Sequence, residues 1–223
     1  MKLILFGITG DTGSTLLDLA LTNGHEVVAV ARRPERVTQQ HPRLTVLPGD
    51  VMAAPTLVAP ITGGDAVISC VGVSSPRQAR KGTTVYSVGT RNLVAAMRQT
   101  ACTRLVVVSS AGVAPRKGAP LVYRLLVKPF FLEPAYRDMR VMEQELSATD
   151  LNWTIVRPPY LTGAPMRTDY RLSPDRNFDD DRPLARASLA HFLLTEVETR
   201  GLSGGWWRSL DRNSCWTQRP CSR

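Results

Sequence analysis

The clearest chemistry lies close to the start of the chain. Gly7-Ile8-Thr9-Gly10-Asp11-Thr12-Gly13 follows directly on an apolar run and opens into a stretch of helical periodicity. In that setting Gly7 makes a tight turn, Gly10 lets backbone approach a diphosphate, and Gly13 lets a helix pack closely on a strand. The helix start offers unpaired N–H groups and a partial positive charge to phosphate oxygens, with Thr9, Asp11 and Thr12 in the same turn. About 20 residues further on, where NAD sites place an acid on the ribose hydroxyls, stand Arg32 and Arg33. Guanidinium forks suit a 2′-phosphate, each contact giving roughly 1.5–3 kcal/mol, so NADP(H) is expected over NAD(H). The plainer alternative is two solvated arginines at a strand end. Gly49-Asp50-Val51 puts a carboxylate within reach of an adenine amino group and Val51 against the ring. Asp50 could equally cap the short helix behind it.

These residues need a scaffold, and the chain supplies one. Val- and Ile-rich runs at 2–6, 26–30, 44–47, 66–71, 104–109 and 153–156 lack polar alternation, as strands covered on both faces do. Between them lie helical stretches at 14–23, 34–39, 55–61 and 84–100, two pieces within 120–149 broken at Pro129 and Pro134, and 187–197 with its Leu189, Phe192, Leu193 and Val197 stripe. Strand, helix, strand, repeated, predicts a single-domain α/β Rossmann fold, a doubly wound parallel sheet in the order 3-2-1-4-5-6. Residues 1–200 form that domain, with substrate loops at 73–82, 112–120 and 161–183. Residues 201–223 are an atypical tail in which Trp206 and Trp207 are candidates for an edge strand or oligomer contact, with disorder expected beyond about Asp211.

The chain has 223 residues, 43% hydrophobic and 21% charged, the composition of an ordinary globular domain. No apolar run approaches the roughly 20 residues of a membrane helix, and no secretory signal is legible, so a cytoplasmic protein is expected. The net charge of +9 is concentrated: residues 66–132 hold ten Lys/Arg and no acid. Arg77, Arg80, Lys81, Arg116 and Lys117 of that block fall in the substrate loops and suit an anionic small molecule, although a solvated basic face is the commoner meaning. Without a helix-turn-helix or an aromatic-interleaved basic stretch, nucleic acid is not the expected partner. Four cysteines and three histidines are scattered, so no metal site is expected. Asp179-Asp180-Asp181 reads as a solvated turn.

Taken together, the G-x-T-G-x-T-G opening, Gly49-Asp50-Val51, Ser69-Cys70-Val71-Gly72, Val108-Ser109-Ser110-Ala111, Tyr136-x3-Arg140 with Glu143, and Trp153-Thr154-Ile155-Val156-Arg157-Pro158-Pro159 resemble an atypical short-chain dehydrogenase/reductase. The subgroup is the NmrA-like one that includes biliverdin-IXβ/flavin reductase, and the resemblance spans about residues 1–200. It implies that Val71, Gly72, Ser109 and Pro158 border the cofactor, that Ser110 polarises the acceptor, and that Tyr136 with Arg140 stands where the family has a Tyr-x3-Lys proton-donating pair. Arg140 departs from that lysine, and Tyr160 stands where the flavin-reductase-like subgroup has histidine. The implied activity is NADPH-dependent hydride transfer to a flavin, quinone or related carbonyl, by a monomer or homodimer. Rival readings are a non-catalytic NADP(H)-binding regulator or assembly factor, and a sugar-nucleotide epimerase.

Overall fold

Strand β1 (Lys2–Phe6) divides its side chains between two cores. Ile4 and Phe6 enter one and Leu3 and Leu5 the other, none more than 2% exposed. A strand buried on both faces has no polar side, which is why it reads as an unbroken apolar run. The computed structural model describes residues 1–73, 82–114, 132–174, 182–199 and 208–212. Around β1 stand β2 (Glu26–Ala31), β3 (Leu44–Pro48), β4 (Ala66–Ser69), β5 (Arg104–Val108) and β6 (Asn152–Arg157), all parallel and in the expected order 3-2-1-4-5-6. Helix α1 (Asp11–Thr22) covers one face. The short α2 (Val58–Ile61), α3 (Ser87–Met97) and α4 (Glu133–Ser147) cover the other through Ile61, Leu93, Met97, Met142 and Leu146.

Beyond β6 the chain adds a small parallel pair, β7 (Leu161–Thr162) with β9 (Leu184–Ala185), and a strand β8 (Tyr170–Pro174). Helix α5 (Arg186–Thr199) then packs beside α1, with Leu189, Phe192, Leu193 and Val197 all buried as their stripe predicted. The main sheet does not stop at six strands. Strand β10 (Arg208–Arg212), in the segment expected to be a tail, runs parallel to β6, and β8 pairs antiparallel on its outer side. Trp206, Trp207 and everything beyond 212 lie outside the described residues.

Local differences from the expected elements have simple causes. The helix expected over 34–39 is one 3-10 turn, Pro34–Arg36, because Val37 returns to extended backbone. Helix α1 starts within the glycine motif, at Asp11. Pro134 does not break α4 but sits in its first turn, where a missing N–H costs no hydrogen bond. At the far end of the sheet Arg104 is buried, donating to Glu196 at 3.1 Å, while Thr154 donates to the same carboxylate oxygen at 3.0 Å. Burial pulls the Arg104 guanidinium below its ordinary range, and the facing Glu196 opposes that shift.

Candidate functional site

In a sheet of this order the connections from β1 and β4 leave in opposite directions, and a crevice opens between their carboxyl ends. Here it is a cleft of about 300 Å³ whose walls include Gly7, Thr9, Gly10, Arg32, Asp50, Val51, Val71 and Gly72. Its shape depends on missing side chains. Gly7 adopts φ +80°, and a Cβ there would lie 2.5 Å from the backbone of Cys70; a Cβ on Gly13 would lie 2.2 Å from the Gly7 carbonyl oxygen. Neither position can hold a side chain unless backbone moves, so α1 and β4 close down on the Gly7 turn. At Gly10 the nearest atom to an added Cβ is 3.5 Å away, ordinary contact. Gly10 precedes α1, and among the described residues no side chain caps the helix. The opening turn therefore presents bare backbone N–H groups beside the cleft, which suits a diphosphate. Asp11, first in the helix, is paired with Arg186 at 3.3 Å.

The next wall comes from the ends of β2 and β3. Arg32 is exposed and lines the cleft, whereas Arg33 leads the Pro34–Arg36 turn and lies outside the cleft wall. The Asp50 carboxylate accepts the Met52 N–H at 3.0 Å, which closes a turn and leaves its second oxygen available. Asn92 donates to the Val51 carbonyl at 2.8 Å, fixing that backbone from α3. The side chain of Val51 is buried against Gly89.

Beneath Gly72 and Val73 stands Tyr86, a residue without a sequence signal. Its hydroxyl accepts the Val73 N–H at 3.3 Å. Asp138, reaching across from α4, accepts the Tyr86 N–H at 2.9 Å and both the N–H and hydroxyl of Ser87, so one buried carboxylate caps α3. Burial holds the Tyr86 phenol above its ordinary pKa, opposed by the Val73 N–H and reinforced by Asp138. Cys70, also in the cleft wall, has its thiol pushed up to about 12 by burial. It is protonated near neutrality and is no nucleophile there.

The other nominated residues gather where β5 ends. Ser109 is buried and donates its hydroxyl to Glu143 at 2.6 Å, while Arg157 grips Glu143 through two bonds of 2.9 and 2.7 Å. Ser110 accepts the Gly112 N–H at 3.2 Å, capping the 3-10 turn Ala111–Val113. The ring of Tyr136 lies directly on Gly112, where a Cβ would come within 2.3 Å of it. Arg140 donates to the Val113 carbonyl at 3.2 Å and to Glu133. The Pro158 carbonyl accepts the Ala111 N–H at 2.9 Å, tying this turn to the end of β6. The Tyr160 side chain is 75% exposed, while its carbonyl accepts the Leu184 N–H.

Of the residues nominated for the cofactor, Gly7, Thr9, Gly10, Arg32, Asp50, Val51, Val71 and Gly72 form the cleft wall; Asp11, Thr12, Gly13, Arg33, Ser109 and Pro158 do not. Met52, Thr83 and Val85, which sequence reasoning missed, also line it. A separate cavity of about 590 Å³, lined by Thr162, Arg167, Asp169, Tyr170, Arg182 and Ser188, occupies the described part of the 161–183 loop. Arg77, Arg80, Lys81, Arg116, Lys117 and Asp179 to Asp181 lie outside the described residues. Among the described residues no cluster of three or more His, Cys, Asp or Glu could hold a metal ion, and no helix is long and apolar enough to cross a membrane.

Comparisons with known proteins agree with this geometry. The chain is 28% identical over 207 residues to the uncharacterised protein YwnB of Bacillus subtilis, covering 89% of this chain and 92% of that one. A short-chain dehydrogenase/reductase of Veillonella parvula, solved in complex with NADP, superposes with a TM-score of 0.78 at 18% identity, covering 95% of this chain and 94% of that one. A candidate NADH-flavin reductase of Streptococcus pneumoniae superposes with a TM-score of 0.74 at 24% identity, covering 96% of this chain and 100% of the other. The profile of the NAD(P)H-binding family matches residues 7–200, a span that holds all of the cleft lining but Phe6, and the Ser110 turn. By sheet order, by cradle and by this match, the chain belongs to the NAD(P)H-binding family.

Proposed function

We propose that the chain is an NADPH-dependent reductase that passes hydride to a conjugated acceptor such as a flavin, quinone or related carbonyl. The carrying observation is the cleft itself, with a side-chain-free helix start at Gly10 and Arg32 on its wall. Gly7, Thr9 and Gly10 would hold the diphosphate, Arg32 the 2′-phosphate, Asp50 and Val51 the adenine end, and Val71 and Gly72 the nicotinamide side. When bound, NADPH supplies a hydride from its nicotinamide ring. The protein's share is to orient, to exclude water and to manage a proton. Ser110, fixed against the turn it caps, would hold or polarise an acceptor oxygen, and Tyr136 would give up a proton where the product needs one.

Titration calorimetry with NADPH and NADH, followed by NADPH oxidation with a panel of flavins and quinones, tests the proposal. Arg32→Ala is expected to weaken NADPH binding roughly ten- to hundredfold and to leave NADH binding nearly unchanged. Absence of any heat with either coenzyme would overturn the proposal.

A second reading, a non-catalytic NADP(H)-binding regulator, is favoured by one observation: Arg140, in the position of the family's lysine, has its guanidinium engaged by Val113 and Glu133. Ser110→Ala and Tyr136→Phe would then leave function intact while Arg32→Ala abolishes it. Turnover lost in the first two variants with binding retained decides for the reductase.

A further inference from the structure

Tyr136, Arg140 and Glu143 are spaced i, i+4, i+7 on α4, and so share one helix face. That face meets one short piece of backbone. Glu143 takes the Ser109 hydroxyl at its leading end, the Tyr136 ring covers Gly112 at its middle, and Arg140 holds the Val113 carbonyl at its trailing end. Glu143 is itself anchored by Arg157 at the end of β6, and Arg140 by Glu133, about two helix turns before it. Ser110 lies inside this grip, its Oγ accepting the Gly112 N–H.

We propose that these three side chains form a clasp that sets the position of Ser110, and that Arg140 is a positioning residue acting through Val113 rather than on the Tyr136 phenol. The physical basis is geometric. A planar guanidinium bridges a carbonyl on one element and a carboxylate on another, which the compact ammonium of a lysine does poorly. Arginine at this position then serves a different end, with the cation tying down a turn. Displacement of a reacting group by about 1 Å can cost about a hundredfold in rate, so a loosened turn is felt in turnover before it is felt in coenzyme affinity.

The test uses the full-length chain with Arg140→Lys and Arg140→Met. Its kinetic arm rests on the reductase reading above; its second arm, hydrogen exchange, does not. In the NADPH oxidation assay kcat is expected to fall about tenfold in both variants, with KM for NADPH within about twofold and the alkaline limb of the pH profile in place. Unchanged kcat in both variants would make Arg140 merely structural. A limb that moves to higher pH in Arg140→Met and returns in Arg140→Lys would make it the direct partner of Tyr136. Either result overturns the proposal.

Amide hydrogen exchange separates failure of the clasp from failure of the reductase reading. The Gly112 and Val113 amides donate to the Ser110 hydroxyl and carbonyl, at 3.2 and 3.1 Å. Both are expected to exchange about tenfold faster in Arg140→Met, while amides in α1 do not change. If the wild-type chain oxidises no NADPH with any acceptor, the reductase reading fails and this measurement alone decides: faster exchange upholds the clasp, and unchanged exchange refutes it.

Discussion

The dinucleotide cleft and the Ser110 turn lie at the carboxyl ends of neighbouring strands, and opposite means hold them. The cleft is shaped by absence: Gly7 and Gly13 let backbone meet backbone at distances no Cβ could share. The turn is shaped by reach: Glu143, Arg140 and Tyr136 come from a helix that begins some twenty residues later. A backbone-built site accepts a ligand through N–H groups and needs no buried charge to do so. Sites built by side chains depend on buried charge, so a single deletion there leaves an uncompensated partner behind.

That contrast can be broken or sharpened by substitution. The largest effect is expected at Glu143→Ala, which removes the buried carboxylate that Ser109 and Arg157 share and should lower unfolding free energy by about 3–5 kcal/mol, read from the urea midpoint. A loss below about 1 kcal/mol would remove the buried pair from the stability of the turn. Next comes Gly13→Ala, expected to cost about 3 kcal/mol and to abolish NADPH binding, because its methyl group strikes the Gly7 carbonyl. Wild-type affinity in that variant would show that the cradle yields.

Cys70 gives a pH test of the cleft wall. Its folded-state pKa of about 12 stands above the ordinary 9.0. The unfolded chain therefore releases this proton first as pH rises, and the stabilising contribution, complete below pH 9, is lost between 9 and about 12. Urea midpoints at about pH 8 and about pH 10.5 should diverge less in Cys70→Ala than in the wild type. Equal divergence would mean that the thiol is not sheltered. The smallest effect on folding belongs to Gly10→Ala, within about 0.5 kcal/mol, since an added Cβ meets nothing closer than 3.5 Å. NADPH binding should weaken all the same, and unchanged affinity would move the diphosphate away from Gly10.

The two regions also differ in how far they could be read beforehand. The six parallel strands, their order and the glycine cradle were legible because each signal is local: an apolar run, a turn, a helix start. Asp138 capping α3, Glu143 gripping Ser109 and Arg157, and Glu196 holding Arg104 were not, since each joins residues 14 to 92 positions apart. Periodicity reads a charged residue on a helix as solvent-facing, yet Glu143 and Glu196 are 2% and 3% exposed. Tyr136-x3-Arg140 was legible as a shared helix face but not as a grip on the Ser110 turn, because Val113 and Glu133 as its acceptors follow from packing alone. The strand at 208–212 was missed for a related reason: its polar, basic sequence carries little apolar signal, and its place between β6 and β8 comes from pairing.

That placement governs the order of assembly. Strand β8 is made before β10, yet among the described residues its one neighbour in the main sheet is β10. Until residues 208–212 arrive, Val156 and Arg157 at the end of the sixth strand and the whole of β8 lack the ladder partner they have in the finished sheet. Nascent chains should pass through a state with one sticky margin, which is when chaperones, or neighbouring copies of the same unfinished product, have their opportunity.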